Sequence, residues 1–275
     1  MKFLHKLSLR IDRFFTSIFI RVEKRIRFVF SAFLLMSLML LSTFFFFDKA
    51  WLFLPILLIA CYFLTYFSIL EGIEKIEWVM LFLIPILLTV GFYLFYFLFP
   101  VRWITRIPFV LVYGLSIYAV FLISNIFNVG VEKSLQLYRA AFSVNYFYHA
   151  FVSFLLFIII FSFKLNFFFN GIFTFIIIFP LCLQLLWSVK LSKDLDRKVV
   201  YPALLIALIV SQLSVILSFV PLRGTIFSLS LTSAYYGLAG IIYHSLDQKL
   251  FKQTIREYGL VTIFVAAIAL LSIQW

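Results

Sequence analysis

Residues 78–99 read WVMLFLIPILLTVGFYLFYFLF, 22 positions without a charge. At a rise of about 1.5 Å per residue, a helix of this length matches the roughly 30 Å hydrocarbon layer of a bilayer. It is longer and more apolar than a soluble core requires. Glu77 closes it on one side, and Pro100 and Arg102 close it on the other.

Eight more segments of the same kind occur along the chain. The nine expected spans are 28–47, 51–70, 78–99, 107–127, 140–163, 167–189, 199–220, 225–243 and 258–275. Breakers and charges mark the joints: Asp48-Lys49-Ala50, the acidic turn Glu71–Glu77, Pro100–Arg106, Lys190–Lys198 and Pro221-Leu222-Arg223-Gly224. The eighth span is the most diluted, by Ser228, Ser230, Thr232, Ser233 and two glycines. Of the 275 residues, 65% are hydrophobic and 12% charged, and the mean hydropathy is +1.15. Soluble domains run nearer 45–50% apolar and about 25% charged. The expected fold is therefore all-α, a polytopic transmembrane helix bundle over residues 28–275 with no separate soluble domain. The 39 phenylalanines read as lipid-facing and packing surface.

Residues 1–27 differ from the rest. Leu4, Leu7, Ile11, Phe14, Phe15, Ile18 and Val22 recur at helical spacing and form one apolar stripe. Lys2, Lys6, Arg10, Arg13, Arg21 and Lys24 gather on another flank. This pattern predicts an amphipathic helix lying in the headgroup layer, its cations on anionic lipid phosphates. A plain positive-inside anchor for the first span is the competing reading. The basic stretch is too long for a cleavable signal peptide, and no small-residue cleavage site follows.

The net charge is +12. In a soluble chain that would suggest nucleic acid; here the positions of the charges matter more than their sum. With the N-terminus in the cytoplasm, nine spans leave only Lys49, Arg102, Arg106, Lys164 and Arg223 outside. The other 18 of the 23 Lys and Arg fall inside. This alternation follows the positive-inside rule. It predicts a cytoplasmic N-terminus and an extracytoplasmic C-terminus. The expected partners are membrane lipids, anionic ones first, with a protein partner or a second copy of the chain left open; nucleic acid is not expected.

The polar residues narrow the chemistry. None of the eleven acidic residues lies in the middle of a span, which argues against a carboxylate-coupled carrier or pump and leaves uniporters, channels and flippases. Cys61 and Cys182 both sit in apolar runs and read as small buried hydrophobes, with no disulfide or metal site. There is no His-Glu-x-x-His helix, no Gly-x-Ser-x-Gly elbow, no phosphate-cradling glycine loop and no facing pair of Asp-rich motifs. Glu71, Glu74 and Glu77 with His149 or His244 would be the only acidic cluster for a membrane protease or a metal, and solvation is the usual fate of loop carboxylates. No catalytic residue, metal or cofactor is expected.

The fifth span carries the most informative residues. Ser134, Tyr138, Asn145, His149 and Ser153 fall in one narrow sector. As a ligand pathway, Tyr138, Asn145, His149 and Ser153 would line a polar pocket, with His149 accepting a proton or donating to a ligand. As packing, they would hydrogen-bond to a neighbouring helix. Asn125 and Asn128 close the fourth span, and with Arg139 they would form a polar cluster at the cytoplasmic face; a helix end and a topology-setting cation are the simpler reading. Ala203, Ala207, Ser211, Ser214 and Ser218 form a small-residue stripe, as do Ser230, Ser233, Gly237, Gly240 and His244. The short turn between their helices makes them expected antiparallel neighbours. Pro180 should free backbone carbonyls in the sixth span, with Gln184 one turn on.

Asn125-Ile126-Phe127-Asn128-Val129, then Leu137-Tyr138-Arg139-Ala140-Ala141 and a long apolar helix, resemble a family of uncharacterised bacterial polytopic membrane proteins, a domain of unknown function. The resemblance is centred on residues 125–157. It implies a bacterial plasma membrane and carries no reaction. Three functions are therefore expected in order: a non-enzymatic membrane protein acting through lipid or protein partners; a carrier, channel or flippase using the fifth span; and a lipid-modifying enzyme.

Overall fold

A computed structural model describes residues 23–44, 50–69, 78–98, 103–129, 135–192 and 195–273. The expected N-terminal amphipathic helix with Lys2, Lys6, Arg10, Arg13 and Arg21 lies outside these residues, as do Ser134 and the acidic turn at 71–77. The described helices are α1 (Lys24–Ser42), α2 (Ala50–Ile69), α3 (Trp78–Tyr96), α4 (Trp103–Val129), α5 (Leu135–Ser162), α6 (Phe167–Trp187), α7 (Arg197–Leu217), α8 (Gly224–Leu246) and α9 (Lys252–Leu271). All nine are long and apolar enough to cross a membrane, and no strand occurs among the described residues. The protein is an all-helical, multi-pass membrane protein. A helix satisfies every backbone group within its own segment, which lipid demands.

The helices alternate in direction. At one side of the bundle, α4 meets the end of α2 through Asn128, which donates to the Ile69 carbonyl at 2.7 Å. On that side also, Tyr138 near the start of α5 donates to the Ser188 carbonyl at the end of α6, and His244 of α8 meets Tyr258 of α9. At the opposite side, Arg106 at the start of α4 donates to the Tyr96 hydroxyl at the end of α3 (2.9 Å) and sits over the Phe44 ring just beyond α1. Phe161 near the end of α5 packs on Phe227 near the start of α8 there.

Helix α5 is the hub. It packs against α3 and α4 on one flank and α6 and α8 on the other, while α1 and α2 complete the first flank. The most extensive pairing joins α6 and α7. Helix α9 has its one extensive contact with α8, and Val265 is its only buried residue.

The small-residue stripes find partners other than each other. Ser211 donates to the Gly171 carbonyl (3.0 Å), Thr174 to the Ser214 hydroxyl (3.0 Å) and Asn170 to the Ser218 hydroxyl (3.0 Å), so the stripe of α7 meets α6. A Cβ at Gly237 would fall 2.7 Å from Thr262 Oγ1. One at Gly240 would fall 2.4 Å from the Tyr146 hydroxyl and from the Tyr258 ring. The glycines of α8 therefore admit α9 and α5. The turn makes α7 and α8 neighbours as expected, but their small faces go to whichever backbone comes closest, since in lipid packing rather than apolar transfer drives helix association.

Candidate functional site

The polar face of α5 is turned onto α6. Asn145 Nδ2 reaches Gln184 Oε1 at 3.4 Å, and His149 Nδ1 lies 2.9 Å from the Asn145 carbonyl one turn earlier. Leu181 and Gln184 of α6 are neighbours of the imidazole, yet His149 Nε2 is buried without a hydrogen-bond partner. Ser153 donates back to the Ala150 carbonyl of its own helix at 2.8 Å. Asn145, His149 and Ser153 are all buried. Tyr138 lies half-buried on the same face, its ring against Phe127.

Several polar side chains serve orphaned carbonyls. The last carbonyls of a helix lack an intrahelical donor. Asn128 supplies one to Ile69, the last residue of α2, and Tyr138 supplies one to Ser188, the residue that caps α6. A proline inside a helix removes one N–H and strands the carbonyl four residues back. Pro85 does this to Leu81 in α3, and Ser124 of α4 donates to the Leu81 carbonyl at 3.2 Å. Asn125 is half-buried, and Arg139 is exposed while Asn128 turns inward; no hydrogen bond joins Arg139 to either asparagine among the described residues. Lys24 is half-buried in the first turn of α1.

Two further polar groupings stand out that spacing within one helix does not reveal. Thr89 of α3 lies 3.0 Å from the Tyr113 hydroxyl of α4 and donates to Cys61 Sγ of α2 at 3.4 Å, tying three helices in the buried core. Near the other flank, Tyr146 stacks on Tyr236 (ring centroids 4.5 Å apart), Phe142 stacks on Tyr243 (3.8 Å), and Tyr258 lies edge-on to Tyr146 and Tyr236. The phenols of three helices thus form one layer at the side where α5 and α9 begin. Tyrosines on separate helices, each with an apolar body and a polar tip, are the only sequence signal for it.

Two lateral clefts lie away from these residues. One, of about 450 Å³, runs between α3, α4 and α5, with walls that include Phe92, Tyr96, Thr105, Phe109, Val112 and Phe151. Its rim residues Ile104 and Val112 are exposed, so it is open sideways, and Tyr96 in its wall accepts from Arg106 Nε. The other, of about 370 Å³, lies between α7, α8 and α9. Both fall in the ~300–1,000 Å³ range of small-molecule sites. Neither includes Asn145 or His149. Arg106 was legible only as one of five cations expected outside; its place beside Tyr96 depends on how α3 and α4 close at their ends.

Cys61 and Cys182 are free and buried. Among the described residues, no group of three His, Cys, Asp or Glu side chains is placed to hold a metal ion. Comparison with curated proteins found no match, and comparison with solved structures found none either. The profile of one family, described as "Protein of unknown function (DUF5656)", matches residues 75–272 and so takes in the whole segment 125–157. Covering α3 to α9 completely, this match shows that the chain belongs to that family.

Proposed function

We propose that the protein is a bacterial plasma-membrane protein that works by holding lipid, without catalysing a reaction. Its N-terminus is cytoplasmic and its C-terminus extracytoplasmic, in keeping with the 18 of 23 Lys and Arg that this orientation puts inside. The basic segment 1–27 then rests on anionic lipid of the cytoplasmic leaflet. The bacterial setting follows from the resemblance carried by residues 125–157.

The observation that carries this reading is the cleft between α3, α4 and α5. Its lining is almost wholly apolar, and it opens sideways at membrane depth. An acyl chain suits such walls. A path along α5 is less favoured, because Asn145 and His149 are packed against α6 and engaged with Gln184 and the helix backbone.

Native mass spectrometry of the protein purified in mild detergent tests the reading. The wild type is expected to carry phospholipid adducts, and Val112→Phe, which fills the cleft from an exposed rim position, is expected to lose most of them. Equal retention by both proteins would sink the cleft as the site. Turnover of a lipid-linked substrate by the purified protein would sink the non-catalytic reading.

A further inference from the structure

Helix α9 has its one extensive contact with α8, and an apolar cleft separates it from α7. Near its start, Tyr258 packs against Tyr146, Tyr236 and His244, and Thr262 lies against Gly237. The second cleft forms a wedge between α7, α8 and the later part of α9, where Val265 and Leu270 line it. The side chains that α9 turns into this wedge include the small Ala266 and Ala269, and α7 lines it with Leu213 and Leu217. A packed bundle does not tolerate such a gap as vacuum, because its lining atoms forfeit their dispersion contacts, and an apolar wedge opening into a bilayer is filled by what surrounds it.

Charge says which lipid fits best. The wedge ends at Leu222 in the turn before α8, and the next residue is Arg223, exposed at the N-cap of that helix. Among the described residues every charge on this side of the bundle is a cation: Arg106, Lys164 and Arg223. The described carboxylates Glu23, Asp196, Asp247 and Glu257 all belong to the opposite side; Asp48 is the one acidic residue that the sequence adds to this side. A headgroup carrying net negative charge is complementary to this surface, whereas a zwitterionic one brings its own ammonium against Arg223.

We propose that the wedge between α7, α8 and α9 seats one acyl chain of an anionic glycerophospholipid, with its phosphate on Arg223, and that this lipid completes the packing of α9. The proposal rests on the reading that the protein holds lipid, and extends it to a second site with a structural role. The shared chemistry is a phosphodiester joined to a chain, so a soluble phosphate does not substitute: it supplies nothing to the apolar wedge.

The test uses the full chain in nanodiscs, spin-labelled at Phe219→Cys and Leu271→Cys, the exposed outer ends of α7 and α9; the native cysteines are buried and do not take label. In dioleoyl phosphatidylcholine alone, the interspin distance distribution should be broad. Adding dioleoyl phosphatidylglycerol should narrow it. R223Q, an exposed substitution that leaves the core untouched, should abolish the narrowing, and Ala266→Phe, which fills the wedge with protein, should give a narrow distribution in either lipid. An unchanged wild-type distribution on adding phosphatidylglycerol overturns the proposal. Narrowing that survives in R223Q overturns the assignment of the phosphate to that residue. Lipid adducts that persist at the α3–α4–α5 cleft while this response is missing would remove the wedge and leave the proposed function standing; loss of both would remove both.

Discussion

Pro85 has no N–H to give the Leu81 carbonyl, and Ser124 brings the missing donor from the neighbouring helix. In water such a carbonyl would find solvent. In hydrocarbon it goes unpaired unless a side chain reaches it. Ser124→Ala is therefore expected to destabilise the bundle by about 1 kcal/mol, in the range measured for interhelical hydrogen bonds in membranes. Pro85→Ala restores the intrahelical donor, so Ser124→Ala made on that background should cost close to nothing. A double-mutant cycle in reversible detergent unfolding measures the difference, and additive effects would show that the serine serves another purpose. The same reasoning explains how much of the polar census was legible. That Asn128, Tyr138, Asn145 and His149 need partners could be read from their place in or beside apolar runs. Which partner each has could not, because the Ile69 and Ser188 carbonyls and the Gln184 side chain belong to other helices, and only packing brings them near.

At the scale of the element, the nine helices were legible because lipid imposes a length and a composition that each helix must meet alone. Their ends were less so. Helix α5 begins at Leu135, five residues before the expected span, and runs for 28 residues, while α4 runs for 27. Hydropathy marks where lipid begins, and a helix whose backbone is already bonded has no reason to stop there. Helix partners were the hidden part, and α6 with α7 shows why. Gly171 of α6 leaves room for Val215 of α7: a Cβ at Gly171 would fall 2.7 Å from Val215 Cγ2. Because the clashing atom sits on a short β-branched side chain with little freedom to move, Gly171→Ala is expected to destabilise by roughly 1–3 kcal/mol. Val215→Ala opens a small void and costs about 1 kcal/mol by itself. Together the two should recover part of the sum, since the new methyl enters the space the valine vacates. Unfolding of the four proteins provides the check, and a strictly additive pair would mean that α6 and α7 do not meet at this contact.

For the whole molecule, the structure sets which helix ends share a side, and the charges carry the proposed orientation. Arg223 lies with Arg106 and Lys164 at one side; Lys190 and Lys249 lie at the other. Neither observation alone orients the protein. The proposed orientation rests on the lysine and arginine count, because cations resist translocation and a bias of 18 to five over short loops is large compared with what a single misplaced residue can change. The bias also ties orientation to the number of crossings: deleting the first span would reverse the side of every charge beyond it and cut the bias to 13 to ten. Cys61 and Cys182 are buried, so single cysteines introduced at exposed loop positions report without removing them. In intact cells, Arg223→Cys should react with a membrane-impermeant maleimide, whereas Lys190→Cys and Lys249→Cys should react only after the membrane is opened. Labelling of Lys190→Cys from outside with Arg223→Cys silent would invert the protein and place the basic segment 1–27 in the opposite leaflet. Labelling of Arg223→Cys and Lys249→Cys from the same side would mean that α8 does not cross.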